Sequence, residues 1–285
     1  MLAEVTYHEP SLSIRDFVGH SLMIEADCCD VSEHQSIQRN TVAVMDWTTG
    51  SEALIQVTAP DFWQKVSGQI VLLDAAGTQL KRSKLFVLSP RISVAPDLER
   101  FAFVGNPVHP TDVGQYGLYV TRFDDDQPIL LSDLSGISRS LDPDVVLDWS
   151  PDGSNLLLSV NGSIRRLSLE TTEWTDVAAG HSAAWSPVDN RIAYVNGDGD
   201  FVLLDLDSGE ATIFDDHAVV GPIQWSPGGK YLFFLKRGGC FSLTGACSSV
   251  YRIQDGAWIS LGSYGTTFPP PGWLEVPPGA LERAR

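Results

Sequence analysis

Trp149-Ser150-Pro151-Asp152-Gly153 is a turn set between two apolar runs, Val146-Leu147 before it and Leu156-Leu157-Leu158 after it. Altered copies read Trp185-Ser186-Pro187-Val188-Asp189-Asn190 and Trp225-Ser226-Pro227-Gly228-Gly229-Lys230. Fainter ones stand upstream at Trp47-Thr48-Thr49-Gly50 and Val94-Ala95-Pro96-Asp97, and downstream at Phe268-Pro269-Pro270-Pro271-Gly272. The spacing centres in the forties, the signature of a repeat architecture built from small β-units.

Around Trp149 one unit can be read strand by strand. Val146–Trp149 alternates as a first strand, and Asn155-Leu156-Leu157-Leu158-Ser159-Val160 is the second. Asn161-Gly162 supplies the positive φ angles of a tight hairpin into a third strand, Ile164–Leu169, and a fourth covers 173–177. The same grammar recurs through Ala183-Ala184-Trp185, residues 191–195, 201–206 and 211–214. It recurs again through residues 222–225, 231–235, 250–253 and 257–261. This half of the chain has no helical periodicity of any length.

An apolar-x-Trp-Ser-Pro-Asp-Gly turn followed by a Leu-x-Phe-type strand and a Leu-x-x-Leu-Asp-Leu-like third strand resembles the TolB-type propeller repeat. It is similar also to the propeller repeats of prolyl-oligopeptidase-like peptidases. The resemblance covers roughly residues 43 to 275 and implies an all-β, six-bladed β-propeller. The single domain expected over residues 1–285 has closing strands in 1–42, five blades in 43–266, and the start of the closing blade and a tail in 267–285. Residues 13–18 and 21–26 supply strands that join the C-terminal strand in one sheet and close the ring. Seven blades is the alternative, if residues 1–42 form a blade of their own.

Composition narrows the function classes. Asp and Glu number 36 against 19 Lys and Arg, a formal net charge of −17 that repels polyanions and excludes a nucleic-acid partner. No run approaches the roughly 20 apolar residues of a membrane span. Residues 1–9 lack a basic segment followed by an apolar one, so they form no signal peptide as written. The resemblance implies a place outside the cytoplasm, periplasmic or secreted, if a leader was removed. Cys240 and Cys247 share a Gly/Ser-rich loop that can fold back and join them as a disulfide in an oxidising compartment. Cys28 and Cys29 are adjacent, and free thiols are expected there.

Motifs of chemistry fail on inspection. Gly228-Gly229-Lys230 lacks the upstream glycine of a phosphate loop, because Gln224 holds that place. Asn196-Gly197-Asp198-Gly199-Asp200 has oxygen ligands at alternate positions, but Phe201 stands where a calcium loop needs glycine, so a hairpin turn is expected. Asp124-Asp125-Asp126 reads as a solvated turn. No Gly-x-Ser-x-Gly elbow or His-Glu-x-x-His spacing occurs, and Gly180-His181-Ser182 lies in a blade connection. No metal and no cofactor is expected, and no catalytic residue is assigned.

Connections are more telling. The motif turn joins strands one and two, so the connection of strands two and three emerges at the opposite face. Those connections are short in the Trp149 and Trp185 units. They are long at 58–68, 105–115 and 236–249, and the inter-unit connection 132–144 emerges on the same side. Long loops on one face of a rigid ring are the usual place of recognition. Phe62, Trp63, His109, Tyr116 and Phe241 are the contact residues expected there, in a non-enzymatic scaffold for a protein or peptide partner. Two alternatives stay open: a hydrolase or lyase using acidic residues of a central channel with a divalent metal, and a structural domain of a larger protein.

Overall fold

The structure is a computed structural model and describes residues 2–8, 11–16, 21–25, 41–47, 53–58, 67–73, 79–109, 112–113, 115–135, 145–214, 219, 223–226, 228–237, 246–263 and 272–273. Every regular element among the described residues is a β-strand. The chain divides into two compact units, Met1–Ser140 with Pro269–Arg285, and Leu141–Phe268.

In the first unit β1 (Leu2–His8), β2 (Ser11–Asp16) and β3 (Ser21–Glu25) form an antiparallel meander. β4 (Thr41–Trp47), β5 (Ala53–Thr58), β6 (Ser67–Leu73) and β7 (Gln79–Val94) then pair in order. The ladder continues from β7 through β8 (Arg100–His109), with β9 (Asp112–Val113) folded back on its end, to β10 (Gly117–Arg122) and β11 (Ile129–Asp133). β7 serves two four-stranded groups: residues 79–88 pair with β6, and residues 86–94 pair with β8.

The second unit repeats that plan. β12 (Val146–Trp149), β13 (Asn155–Val160), β14 (Ser163–Ser168) and β15 (Trp174–Trp185) pair in order, and β15 runs on into β16 (Arg191–Asn196), β17 (Phe201–Asp205) and β18 (Ala211–Phe214). A separate sheet holds β19 (Gln224–Trp225), β20 (Tyr231–Arg237), β21 (Ala246–Arg252) and β22 (Ala257–Ser263). Last in the chain is β23 (Gly272–Trp273), which belongs to the first unit: it pairs with β1 through Leu2↔Trp273 and Ala3↔Gly272. Strands from both ends of the chain therefore share one sheet, which includes β1, a strand the sequence reading did not assign.

Burial follows position in each group. β13 is apolar but for Asn155 and Ser159, and its residues from Leu156 on are all buried, as for a strand covered on both faces. The outermost strands β11 and β18 are largely exposed. Between the sheets of the second unit lies a core of Ala184, Ala193, Val195, Phe201, Trp225, Leu232, Phe234 and Tyr251. Phe201 stacks on Phe234 at 5.9 Å between centroids, an offset arrangement that adds to the area it buries.

The repeated turn has one hydrogen-bond frame. Ser150, Ser186 and Ser226 each donate a backbone N–H to the carbonyl five residues on, at Asn155, Arg191 and Tyr231 (3.0, 2.8 and 2.8 Å). Ala95 does the same to Arg100 at 2.9 Å, so the faint upstream copy is the same turn. Gly153, Gly229 and Leu98 occupy its left-handed position, at φ 68°, 66° and 58°. The serine recurs for a reason: Ser150 Oγ accepts the Asn155 N–H and donates to Asp152 Oδ1, and Ser226 Oγ accepts from Tyr231. Trp149, Trp185 and Trp225 are 4%, 4% and 9% exposed, and Trp225 Nε1 donates to the Ala184 carbonyl of the preceding sheet at 3.0 Å. These tryptophans are part of the core.

Candidate functional site

The connections of second and third strands differ sharply in size. In the second unit Val160 pairs with Ser163 across Asn161-Gly162, whose φ angles of 52° and 73° make the tightest possible hairpin. The next turn is closed within residues 196–200: Asn196 Oδ1 accepts from the Asp198 and Asp200 N–H groups, and Asn196 N donates to the Asp200 carbonyl. It is a hairpin turn, as its composition implies.

In the first unit the corresponding stretch, read from sequence as the loop 105–115, is largely strand. β8 continues to His109, β9 folds back on it through Val108↔Val113 and His109↔Asp112, and β7 supports it through Val87↔Pro107 and Leu88↔Asn106. A β-hairpin thus projects past the ladder that β8 shares with β10, which begins at Gly105↔Gly117. Glycine, proline and asparagine in this stretch hid its pairing, which depends on the far end of β7 and not on local turn chemistry.

The expected contact residues fare differently. His109 ends β8 beside the hairpin tip, opposite Asp112. Tyr116 is a correction: it is buried at 8% exposure, and its carbonyl accepts the Leu134 N–H at 3.2 Å. At this position the chain re-enters the sheet beside β10, which accounts for the burial of the side chain. Phe62, Trp63, Phe241 and Cys240 lie outside the described residues. Cys247 is in no loop: it lies in β21, opposite Lys236 and Ser263, and the connection shortens to residues 238–245. A pairing with Cys240 falls outside the described residues.

At the same end of the second unit, Gly180-His181-Ser182 is strand, not connection, because β15 passes through it without a break. Gly180 sits at φ 154° and donates to the Gly162 carbonyl; a Cβ there would meet the Val195 oxygen at 2.2 Å, so no other residue fits. The ladder to β16 shifts register between His181 and Ala184, and the bulge holds Ser182 at φ 55°. His181 Nδ1 lies 3.0 Å from Ser182 Oγ. Among the described residues no carboxylate bonds to His181, so none of them completes a nucleophilic triad with this pair.

The motif-turn end carries acids in ion pairs: Asp97 with Arg100 at 2.7 Å, Asp189 with Arg191 at 2.6 Å, and Asp255 with Arg252 at 2.8 Å. All are partly exposed, and such pairs contribute at most about 1 kcal/mol each. Ser150 and Ser154 hydroxyl and amide donors hold the Asp152 carboxyl below its ordinary range.

No protein-family model and no curated protein matches the chain. Among solved structures it is similar to a protein assigned as TolB from Agrobacterium tumefaciens, at TM-score 0.55 and 15% identity, covering 78% of this chain and 80% of that one. The β-propeller domain of Cps50 (Swd1) from Myceliophteria thermophila aligns over 90% of this chain and 85% of that one, at TM-score 0.49 and 11% identity. The former likeness places the chain among β-propeller-type folds and carries nothing about activity.

Proposed function

We propose that the chain is a non-enzymatic, six-bladed β-propeller scaffold that binds a protein or peptide partner at the end where second and third strands connect. With the two halves of β7 and of β15 counted apart, the strand pairings fall into six groups of four, one of which holds β23 on β1, and this supports the six-bladed reading. The likeness to the Agrobacterium tumefaciens protein supports this architecture.

The observation that carries the binding role is the β8–β9 hairpin. Nothing in sheet formation requires it, since the equivalent connection at Asn161-Gly162 needs two residues. A rigid, strand-built projection loses little conformational freedom on binding, which favours affinity. The proposed contacts are Phe62, Trp63, His109 and Phe241, in the sequence stretches that connect second to third strands. By its TolB-like resemblance the scaffold works outside the cytoplasm.

Trp63→Ala, Phe241→Ala and a chain with residues 108–113 replaced by a two-residue turn are compared with the wild type for capture of partners from the native source. Capture of the partner by wild type and its loss in these variants, with the far-ultraviolet spectrum and melting retained, is the expected outcome. Equal capture by all four proteins removes this face from consideration.

A further inference from the structure

Among the described residues, the strand groups end in β3, residues 79–88 of β7, β11, residues 174–179 of β15, β18 and β22. An unpaired strand edge invites a strand from another chain, and bulges, charges or proline are the usual protection. Residues 79–88, β11, residues 174–179 and β22 each shift register against their neighbour, and β3 ends in Glu25. β18 (Ala211-Thr212-Ile213-Phe214) has none of these devices. It pairs with β17 in unbroken register from Phe201↔Phe214 to Leu204↔Ala211, and it holds no charged residue and no proline. Asp205 N donates to the Glu210 carbonyl at 2.9 Å, and pairing alternates from there. Thr212 and Phe214 therefore turn their amides to β17, and Ala211 and Ile213 turn theirs outward. Phe214 packs on the core of the second unit and holds the strand in place, whereas Ile213 is 61% exposed.

We propose that the open edge of β18 takes an extended, basic segment of a partner protein as an added antiparallel strand. Each backbone hydrogen bond adds little net free energy in water, and a strand this short offers few, so affinity needs a second source. Charge supplies it. Residues 187–216 hold eight Asp and Glu residues against one cation, Arg191, which is itself paired with Asp189. Glu210 directly precedes β18 in sequence, and Asp215 and Asp216 directly follow it. The same charges disfavour a second copy of this chain as the occupant. Self-pairing with Ala211 opposite Phe214 continues to Glu210 of each chain opposite Asp215 of the other, and like charges directly opposed are destabilising. A partner strand that answers them has Lys or Arg opposite Asp215, an apolar residue two positions on, opposite Ile213, and a second cation three positions further, opposite Glu210. This edge draws on none of the residues of the connection face.

The full chain is titrated with the peptide Lys-Thr-Val-Thr-Thr-Lys, blocked at both ends, and with the same peptide carrying Glu in place of each Lys. Amide hydrogen exchange at Ile213 is the readout. With the basic peptide at about ten times its dissociation constant, exchange there should slow about tenfold, and added salt should weaken the effect. The acidic peptide should leave it unchanged. Ile213→Pro removes the outward donor without touching the ladder to β17, a place where an edge strand tolerates proline. Ile213→Lys sets a like charge against the basic strand and serves should the proline variant not fold. Each variant should lose the slowing that the basic peptide causes at Ala211. No slowing with the basic peptide, equal slowing with both peptides, or slowing retained in the variants overturns the proposal. Protection of Ile213 that rises with protein concentration in the absence of peptide also overturns it, in favour of self-pairing.

Discussion

At the scale of single residues, the left-handed positions of the repeat separate backbone cost from packing gain. Gly209 and Gly256 close the third-to-fourth-strand turns at φ 75° and 67°, but the equivalent residue in the Trp149 group is Thr172, at φ 57° and exposed. A β-branched residue there costs about 1–2 kcal/mol, partly offset in any glycine replacement by the freedom glycine gains when unfolded. Thr172→Gly should stabilise the protein by about 0.5–1 kcal/mol in chemical denaturation. Leu98, at φ 58°, resists the same treatment because it packs on the cluster of Ile92, Phe101 and Phe103, and losing that contact offsets the relief. Gly229 shows the reverse case. At φ 66° its added Cβ would lie 2.4 Å from Val188 Cγ2, so Gly229→Ala meets both strain and overlap. A loss of about 1–2 kcal/mol is expected, and Val188→Ala in the same chain should recover only the steric part, since the strain in φ remains.

Elements add a second layer, in which the turn residues tie one sheet to the next. Trp225 reaches back with Nε1 to the Ala184 carbonyl, and Arg191 lies over its ring at 5.6 Å. Trp225→Phe keeps an aromatic ring but removes the donor, leaving a buried carbonyl without it. The midpoint of urea unfolding should fall by the equivalent of about 1–2 kcal/mol, and an unchanged midpoint would place the tie at zero. This layer was only partly legible in the sequence. The motif turns were readable because Ser150, Asp152 and Gly153 act within six residues of one another. Strands β13, β14, β16 and β17 were readable because their apolar runs end at such turns. The fusion of fourth and first strands in β7 and β15 was not, since no residue type signals that a strand changes partner midway. The hairpin of β8 and β9 and the strand position of Cys247 were hidden in the same way, by Gly-, Pro- and Ser-rich composition whose pairing is set by distant β7 and by β20 and β22. Asp148 lies within the alternating strand Val146–Trp149, but it accepts a hydrogen bond from Trp185 N, 37 residues away in sequence.

On the scale of the whole molecule, the pairing of β1 with β23 spans the greatest sequence separation among the described strand pairs, joining residues 2–3 to 272–273. In the sheet β23-β1-β2-β3 the last strand covers the start of β1, at Leu2 and Ala3, and itself forms the edge. Without β23, β1 presents an open row of backbone donors and acceptors, the kind of edge that recruits a strand from another molecule. Ending the chain at residue 271 should therefore act in two ways: a lower melting temperature, and association that grows with protein concentration. For a chain of this size, a loss of 1 kcal/mol corresponds to roughly 2–4 °C, so a fall of several degrees in a dilute calorimetric scan is the expected reading, with light scattering reporting the association. The two effects can be told apart by adding a separate peptide of residues 268–285. If the peptide suppresses association and restores the melting temperature, the terminal strand acts by pairing with β1. Melting that is unchanged by truncation would mean that the sheet holds without it, and the ends of the chain would then add nothing to the stability of the fold.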